Sequence, residues 1–279
     1  MINFNGTLIP EESPILSADN RAFKFGDGIF DTLKSFRNNI YFIEDHYFRL
    51  MSSMRMLRME IPMDFTLQYY KDQIVKTLQA NHLSILARIR VSVFRKPGGF
   101  YAPKTNEIDF LIEVSSLQYI ENQNCEIELY KDFSLQSGIL STIKTNNKML
   151  HVLAGIFATE NGFDNCVLIN EKKNLTEAMN ANVFLVKGNT VFTPPLEDGC
   201  INGIVRKQVL RILEKFDSLE LQEVSISPFE LMKADEVFLT NSIFDIQSVT
   251  KYRKKIYTTA RTQEIRKKYN NRLTDQIAI

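Results

Sequence analysis

The chain has 279 residues, 44% of them apolar and 24% charged, with a formal net charge of +1. That length accommodates one large or two modest domains with a real core, and the near-neutral balance gives no general pull toward nucleic acid or anionic membrane. Three cysteines, Cys125, Cys166 and Cys200, form neither a disulfide framework nor a closely spaced metal pair, which predicts a reducing, cytoplasmic setting and no bound metal.

In chain order, Ile2 to Ile9 reads as a strand, a turn at Asn5-Gly6 and an extended return. The opening residues lack a basic stretch followed by an apolar one, so no secretory leader is expected, and no apolar run is long enough to span a bilayer. Gly26 and Gly28 bracket Asp27 before a strand-like run through Phe30, Leu33 and Phe36. After a turn at Asn38-Asn39, Tyr41-Phe42-Ile43 predicts a short strand. A helix then opens at Glu44 and Asp45, whose charges suit the positive end of its dipole. Leu67, Tyr70, Ile74 and Leu78 predict a second helix over about 67–80. Two alternating strands follow at 88–94 and 107–114, joined by a glycine- and proline-rich stretch, 95–103, that serves as a long hairpin connection or as a loop covering a site.

The polar segment 115–124 marks the expected boundary between a smaller N-terminal α/β domain, 1–118, and a larger C-terminal domain, 119–279. Beyond it, 149–157 has helical spacing with Gly162 as a stop. Strands are expected at 166–169, 178–186, 190–194 and 236–242, helices after Asn202-Gly203 and from about Thr258 to Leu273. Strands and helices come in runs rather than in strict alternation, which predicts an α+β fold.

Three features converge on one chemistry. Asn202-Gly203-Ile204-Val205 opens a helix, where backbone N–H groups and the dipole favour an anion. Glu177 lies in a short polar patch, where a carboxylate can accept a proton from a ring nitrogen. Lys144, in Ser141-Thr-Ile-Lys-Thr-Asn-Asn-Lys148, is an amine able to form an imine with an aldehyde. Each alone has a plainer reading: a glycine before a helix, an exposed turn acid, a solvated lysine. Together they meet the needs of a pyridoxal phosphate site.

The sequence resembles the class IV aminotransferases, the fold-type IV pyridoxal phosphate enzymes. That family comprises branched-chain and D-amino acid aminotransferases and 4-amino-4-deoxychorismate lyases. The resemblance rests on FGDGIFDTLK (25–34), EDHYFRL (44–50), IKTNN (143–147), LTEAMNANVFLV (175–186), VFTPP (191–195), NGIVR (202–206) and ADEVFLTNS (234–242), in the family's order. It implies a two-domain fold with pyridoxal 5'-phosphate between the domains, and a homodimer. Lys144 is then the lysine that carries the cofactor and moves protons. Glu177 pairs with the ring nitrogen, with Asn182 nearby in the same motif. Arg49 looks like the phosphate-binding arginine, and Gly203, Ile204, Val205 and the Ser242 hydroxyl complete the phosphate cup. Asp31 falls where several members carry a glutamate near the active site.

The chain departs from the pattern at Val205, where branched-chain and D-amino acid enzymes usually have threonine, and at Lys148-Met149, where a branched-chain enzyme places a tyrosine shortly after the lysine. Val205 resembles the lyase branch, and FGDGIF and the Arg95…Gly98-Gly99 loop resemble the lyase and D-amino acid branches more than the branched-chain pattern. Arg88, Arg90 and Arg95 are candidates to grip a substrate carboxylate, or else are surface cations on an exposed strand. The expected activity is amino-group transfer between an amino acid and a 2-oxo acid. The alternative is a lyase that expels pyruvate from aminodeoxychorismate to give p-aminobenzoate. A non-catalytic module using the basic tail (Lys251, Arg253, Lys254, Lys255, Arg266, Lys267, Lys268) on nucleic acid is disfavoured by the neutral net charge.

Overall fold

The computed structural model describes residues 1–118 and 124–277. The chain divides into two compact units: Met1–Tyr119 with Lys144–Asn147, and Ile120–Ile143 with Lys148–Ile279. The boundary expected between 118 and 119 adjoins 119–123, which lie outside the described residues.

The first unit contains β1 (Ile2–Phe4), β2 (Thr7–Ile9), α1 (Arg21–Phe25), β3 (Gly28–Phe36), β4 (Asn39–Ile40), α2 (Ile43–Met56), α3 (Leu67–Ala80), β5 (Leu86–Arg95) and β6 (Ile108–Ser116). The strands form one sheet in the order β2-β1-β6-β5-β3-β4. Every pairing is antiparallel, so helices and strands are segregated as in an α+β architecture rather than alternating through parallel pairs. Asn5 and Gly6 both take positive φ, as a two-residue turn between twisted strands requires. Residues 41–43 do not continue the strand expected there. Tyr41 N–H donates to Lys34 O, Phe42 takes a left-handed φ of 52°, and Ile43 already belongs to α2. Thr66 caps α3 by accepting from Tyr69 N–H.

Side-chain alternation along β3 and β5 divides this sheet into two faces. Ile29, Leu33, Ile89, Val91 and Val93 point to the core, each 1% exposed or less. Leu50 and Met54 of α2 and Ile74 and Leu78 of α3 are buried with them. Phe30, Thr32, Arg88, Arg90 and Ser92 occupy the opposite face.

The second unit contains β7 (Glu126–Leu129), α4 (Met149–Glu160), β8 (Asn165–Ile169), β9 (Leu175–Ala178), β10 (Ala181–Lys187), β11 (Thr190–Thr193), α5 (Ile204–Leu213), β12 (Glu220–Glu223), α6 (Glu230–Lys233), β13 (Glu236–Asn241), β14 (Asp245–Val249), β15 (Lys251–Tyr252), β16 (Lys255–Ile256) and α7 (Ala260–Ile277). The sheet is mixed: β7 pairs in parallel with β8 and β15, and β11 with β12, while the other pairs are antiparallel. β10 lies at its centre, bonded to β9 near its start, to β11 near its end and to β13 along its length. A fully buried strand reads as a continuous apolar run, and Ala181 to Val186 is one, save for Asn182. β8 serves two cores. Val167 and Ile169 join Val183, Leu185, Val237 and Leu239, whereas Cys166 and Leu168 pack with Ala154 and Ala158 of α4. Among the described residues, no helix is long and apolar enough to cross a membrane.

Candidate active site

Lys144 is fixed by its backbone. Its carbonyl accepts from Phe30 N–H at 2.9 Å, Asn146 N–H donates to Gly28 O at 2.9 Å, and Thr145 bridges Ile29 in antiparallel fashion. Residues 144–147 thus extend the first unit's sheet beside the start of β3, although their chain neighbours belong to the second unit. In that register Lys144 faces Phe30 across the strands, and its Nζ lies 4.5 Å from the ring centroid. Gly28 permits the approach: a Cβ there would come within 2.7 Å of Asn146 Nδ2 and 3.1 Å of Val93 O.

Arg90 reaches the same ring, with Cζ 3.9 Å from the Phe30 centroid and Nε donating to Ser92 Oγ at 3.2 Å. Burial lowers its pKa from the ordinary guanidinium value, with Glu113 opposing. Lys144, Phe30 and Arg90 therefore form one group. Arg88 shares the sheet face two residues away. Arg95 is spent elsewhere. Its Nε meets Asp27 at 3.0 Å, Nη1 donates to Asn106 Oδ1 at 2.5 Å and Nη2 to Leu57 O at 2.8 Å. Asp27 also binds Arg21, which donates to the carbonyls of Gly98 and Phe100. Asp27 thus ties down the 95–103 connection between β5 and β6.

Asp31, on the core face of β3, is 1% exposed. Arg49 grips it by both edges, Nε 3.2 Å from Oδ2 and Nη2 2.5 Å from Oδ1, and His46 Nδ1 lies 2.9 Å from Oδ1. His46 and Arg49 stand three residues apart on α2, so one helix face presents both to the carboxylate. Burial alone would raise this carboxyl's pKa, but Arg49 and then His46 hold it well below the usual carboxylate range.

In the second unit the motif around Glu177 becomes a hairpin. Ala178 pairs with Ala181, so Glu177 stands directly opposite Asn182, which stands opposite Thr240 of β13. Glu177 Oε2 accepts from Ile201 N–H at 2.8 Å, and Oε1 lies 2.8 Å from His151 Nε2. Asn182 Nδ2 donates to Ile201 O at 2.8 Å. Gly203 precedes α5 and supplies no side-chain cap to the helix's first N–H groups. A Cβ at Gly203 would lie 2.0 Å from Asn182 Oδ1, so the space holds a backbone and nothing larger. Thr240 Oγ1 is buried without a hydrogen-bond partner among the described residues. Uncapped N–H groups, a glycine cradle and an orphaned hydroxyl fit a bound phosphate group. Ile204 and Val205 are buried in the first turn of α5, and Ser242 lies in the turn between β13 and β14. Lys148, the residue before α4, loses basicity through burial, with Glu177 partly restoring it.

Four residues of these clusters were not singled out as site residues from sequence. Phe30 and His46 lie inside the quoted motifs, beside Asp31 and three residues before Arg49. Thr240 lies in ADEVFLTNS, two residues before Ser242. His151 had one weak signal, its place one helical turn after Lys148.

The family model for amino-transferase class IV matches residues 28–252. A protein of Methanocaldococcus jannaschii named as a branched-chain-amino-acid aminotransferase is 27% identical over 278 residues, covering 98% of this chain and 95% of its own. The aminodeoxychorismate lyase of Bacillus subtilis is 25% identical over 267 residues, covering 90% of this chain and 86% of its own. In structure, the branched-chain amino acid aminotransferase from Thermobaculum terrenum in its PLP form superposes with a TM-score of 0.85 at 20% identity, covering 99% of this chain and 94% of that one. With the family model spanning most of the chain and both units, this protein belongs to the class IV aminotransferase family.

Proposed function

We propose that this chain is a pyridoxal phosphate-dependent transaminase that moves an amino group between an amino acid and a 2-oxo acid. The observation that supports it most is Lys144, whose backbone is paired to β3 so that its amine lies over the Phe30 ring. When bound, the cofactor supplies an electron sink for the pair left behind as the substrate's Cα proton departs. Lys144 Nζ provides the amine that anchors the cofactor and the base that takes and returns that proton. Glu177 accepts from the ring N–H, and Asn182 steadies it through Ile201. The N–H groups of Ile204 and Val205, reached through the cradle at Gly203, bind phosphate together with the Ser242 hydroxyl, and the EDHYFRL motif assigns a phosphate-binding role to Arg49. Asp31 orients the Arg49 guanidinium. Arg90 is the arginine this reading assigns to the substrate carboxylate, with Arg88 two residues away. Arg95 instead has Asp27, Asn106 and Leu57 O as its partners.

The same reading makes the protein a cytoplasmic homodimer. Cys125, Cys166 and Cys200 are buried free thiols, as a reducing compartment allows. On α4, Met149, Val152 and Ile156 are 66%, 55% and 48% exposed along one stripe, an apolar face suited to a second copy.

A second reading, cleavage of aminodeoxychorismate to pyruvate and p-aminobenzoate, is favoured by Val205, which brings no hydroxyl to the first turn of α5. One experiment separates the two. Protein loaded with pyridoxal phosphate is given pairs of D- or L-amino acid and 2-oxo acid, and separately aminodeoxychorismate. Oxo-acid exchange that disappears in Lys144→Ala supports transamination. Formation of p-aminobenzoate without exchange supports the lyase, and activity on neither refutes both.

A further inference from the structure

The first turn of α4 directs His151 at a carboxylate, that of Glu177. Lys148, which precedes the helix, and His151 stand three residues apart, neighbours along one helix edge. His151 Nε2 lies 2.8 Å from Glu177 Oε1, a distance at which a carboxylate accepts from the ring N–H. The contact is nearly sealed, with side-chain exposures of 12% for His151 and 5% for Glu177. The second oxygen accepts from Ile201 N–H at 2.8 Å. Each oxygen thus has its own donor, one from a helix and one from the chain leading into α5.

The consequence is geometric. The terminal torsion of a glutamate is broad and roughly two-fold, so one hydrogen bond leaves the carboxylate plane free to swing. Donors on both oxygens fix that plane. An ionised carboxylate has about four lone-pair sites, so two remain for further donors, in directions set by His151 and Ile201. Ile201 O in turn accepts from Asn182 Nδ2, whose Oδ1 lies against Gly203. One network therefore runs from α4 through the carboxylate to the start of α5.

We infer that His151 is a positioning residue for the cofactor's ring nitrogen, acting through Glu177: it locks the carboxylate with a lone pair facing the pyridine N–H. This rests on the assignment of Glu177 to the ring nitrogen made above. His151 touches neither the cofactor nor the substrate in this role, and its effect is on how firmly the ring proton is held.

The test uses holoenzyme loaded with pyridoxal phosphate carrying 15N in its ring. The 15N resonance reports whether the ring nitrogen is protonated, and dialysis reports the rate of cofactor release. His151→Phe fills the space without a donor, whereas His151→Gln keeps an N–H that can reach Oε1. In His151→Phe the resonance should move toward that of unprotonated pyridine, and release should quicken roughly tenfold, the lower end for a hydrogen bond to a charged group. His151→Gln should retain both wild-type values. The smaller His151→Ala repeats the donor loss if Phe does not fit the fold. The inference is overturned if the donorless variants leave both readouts unchanged while Glu177→Gln alters them. It is equally overturned if His151→Gln fails like His151→Phe while melting at the wild-type temperature, because the imidazole's shape would then be what matters. If Glu177→Gln itself leaves the ring-nitrogen resonance unchanged, the assignment of Glu177 fails, and the role of His151 with it.

Discussion

Replacing Asp31 by Asn tests the electrostatic core of the first unit. The carboxylate is 1% exposed and answers the Arg49 guanidinium and the His46 ring. An amide of the same shape carries no charge and turns an N–H toward one of them. Removing one partner from a buried ion pair costs about 3–5 kcal/mol, because the other charge stays buried without compensation. Arg49's side chain is 14% exposed, so water screens part of that cost and the lower end, about 3 kcal/mol, is expected. The pH dependence has a definite sign. Asp31's pKa is depressed in the fold, chiefly by Arg49 working against the raising effect of burial, so the unfolded chain binds the extra proton. The stabilisation is complete above the unfolded carboxyl value near 4 and fades as pH falls below it. Urea unfolding followed by far-ultraviolet circular dichroism would show wild type ahead of Asp31→Asn by about 3 kcal/mol at neutral pH, with the gap narrowing steadily in acid. A gap under about 1 kcal/mol at neutral pH, or one that stays constant down to pH 2.5, would refute the account.

Gly203→Ala would place a methyl 2.0 Å from Asn182 Oδ1 and push the amide off Ile201, so about 1–3 kcal/mol of overpacking should appear as a lower melting temperature together with weaker cofactor retention. Unchanged retention would show that the close approach at Gly203 does not matter to the cofactor. Gly28→Ala should displace Asn146 and loosen the pairing that holds Lys144, lowering turnover more than it changes KM; a variant with wild-type turnover would refute the link. Burial pushes the thiols of Cys125, Cys166 and Cys200 up to about 12, so a thiol-disulfide reagent at mildly alkaline pH should find none in the native protein and all three after unfolding. A cysteine that reacts at once in the native protein would contradict this.

Much of the fold was legible because local patterns decided it. The turn at Asn5-Gly6, the helical spacing from Leu67 to Leu78 and the alternation through Arg88 to Phe94 each needed only neighbouring residues. The misreading at 41–43 had a local cause as well. Tyr-Phe-Ile has strong strand character, but Phe42 adopts a left-handed turn and Ile43 is taken into α2, whose first turn carries Glu44 and Asp45. Arg95 illustrates the limit of pattern. It stands beside Arg88 and Arg90 as one more strand arginine, and nothing nearby in sequence reveals Asp27, Asn106 and Leu57 O as its partners.

By itself, the sequence determined many of the helices and strands, which motifs belong together and which family they spell. Only the tertiary structure decided which polar groups share a partner. Periodicity says which face of its own element a side chain occupies, and is silent about what lies across from it. Glu177 meets His151 and Ile201, 26 and 24 residues away in the chain, because a hairpin, a helix start and a loop converge on one point. Lys144 is the sharpest case. Sequence marked it by type and motif, yet its place over Phe30 comes from antiparallel pairing with β3 more than a hundred residues earlier, a contact made by backbone hydrogen bonds that no side-chain pattern encodes.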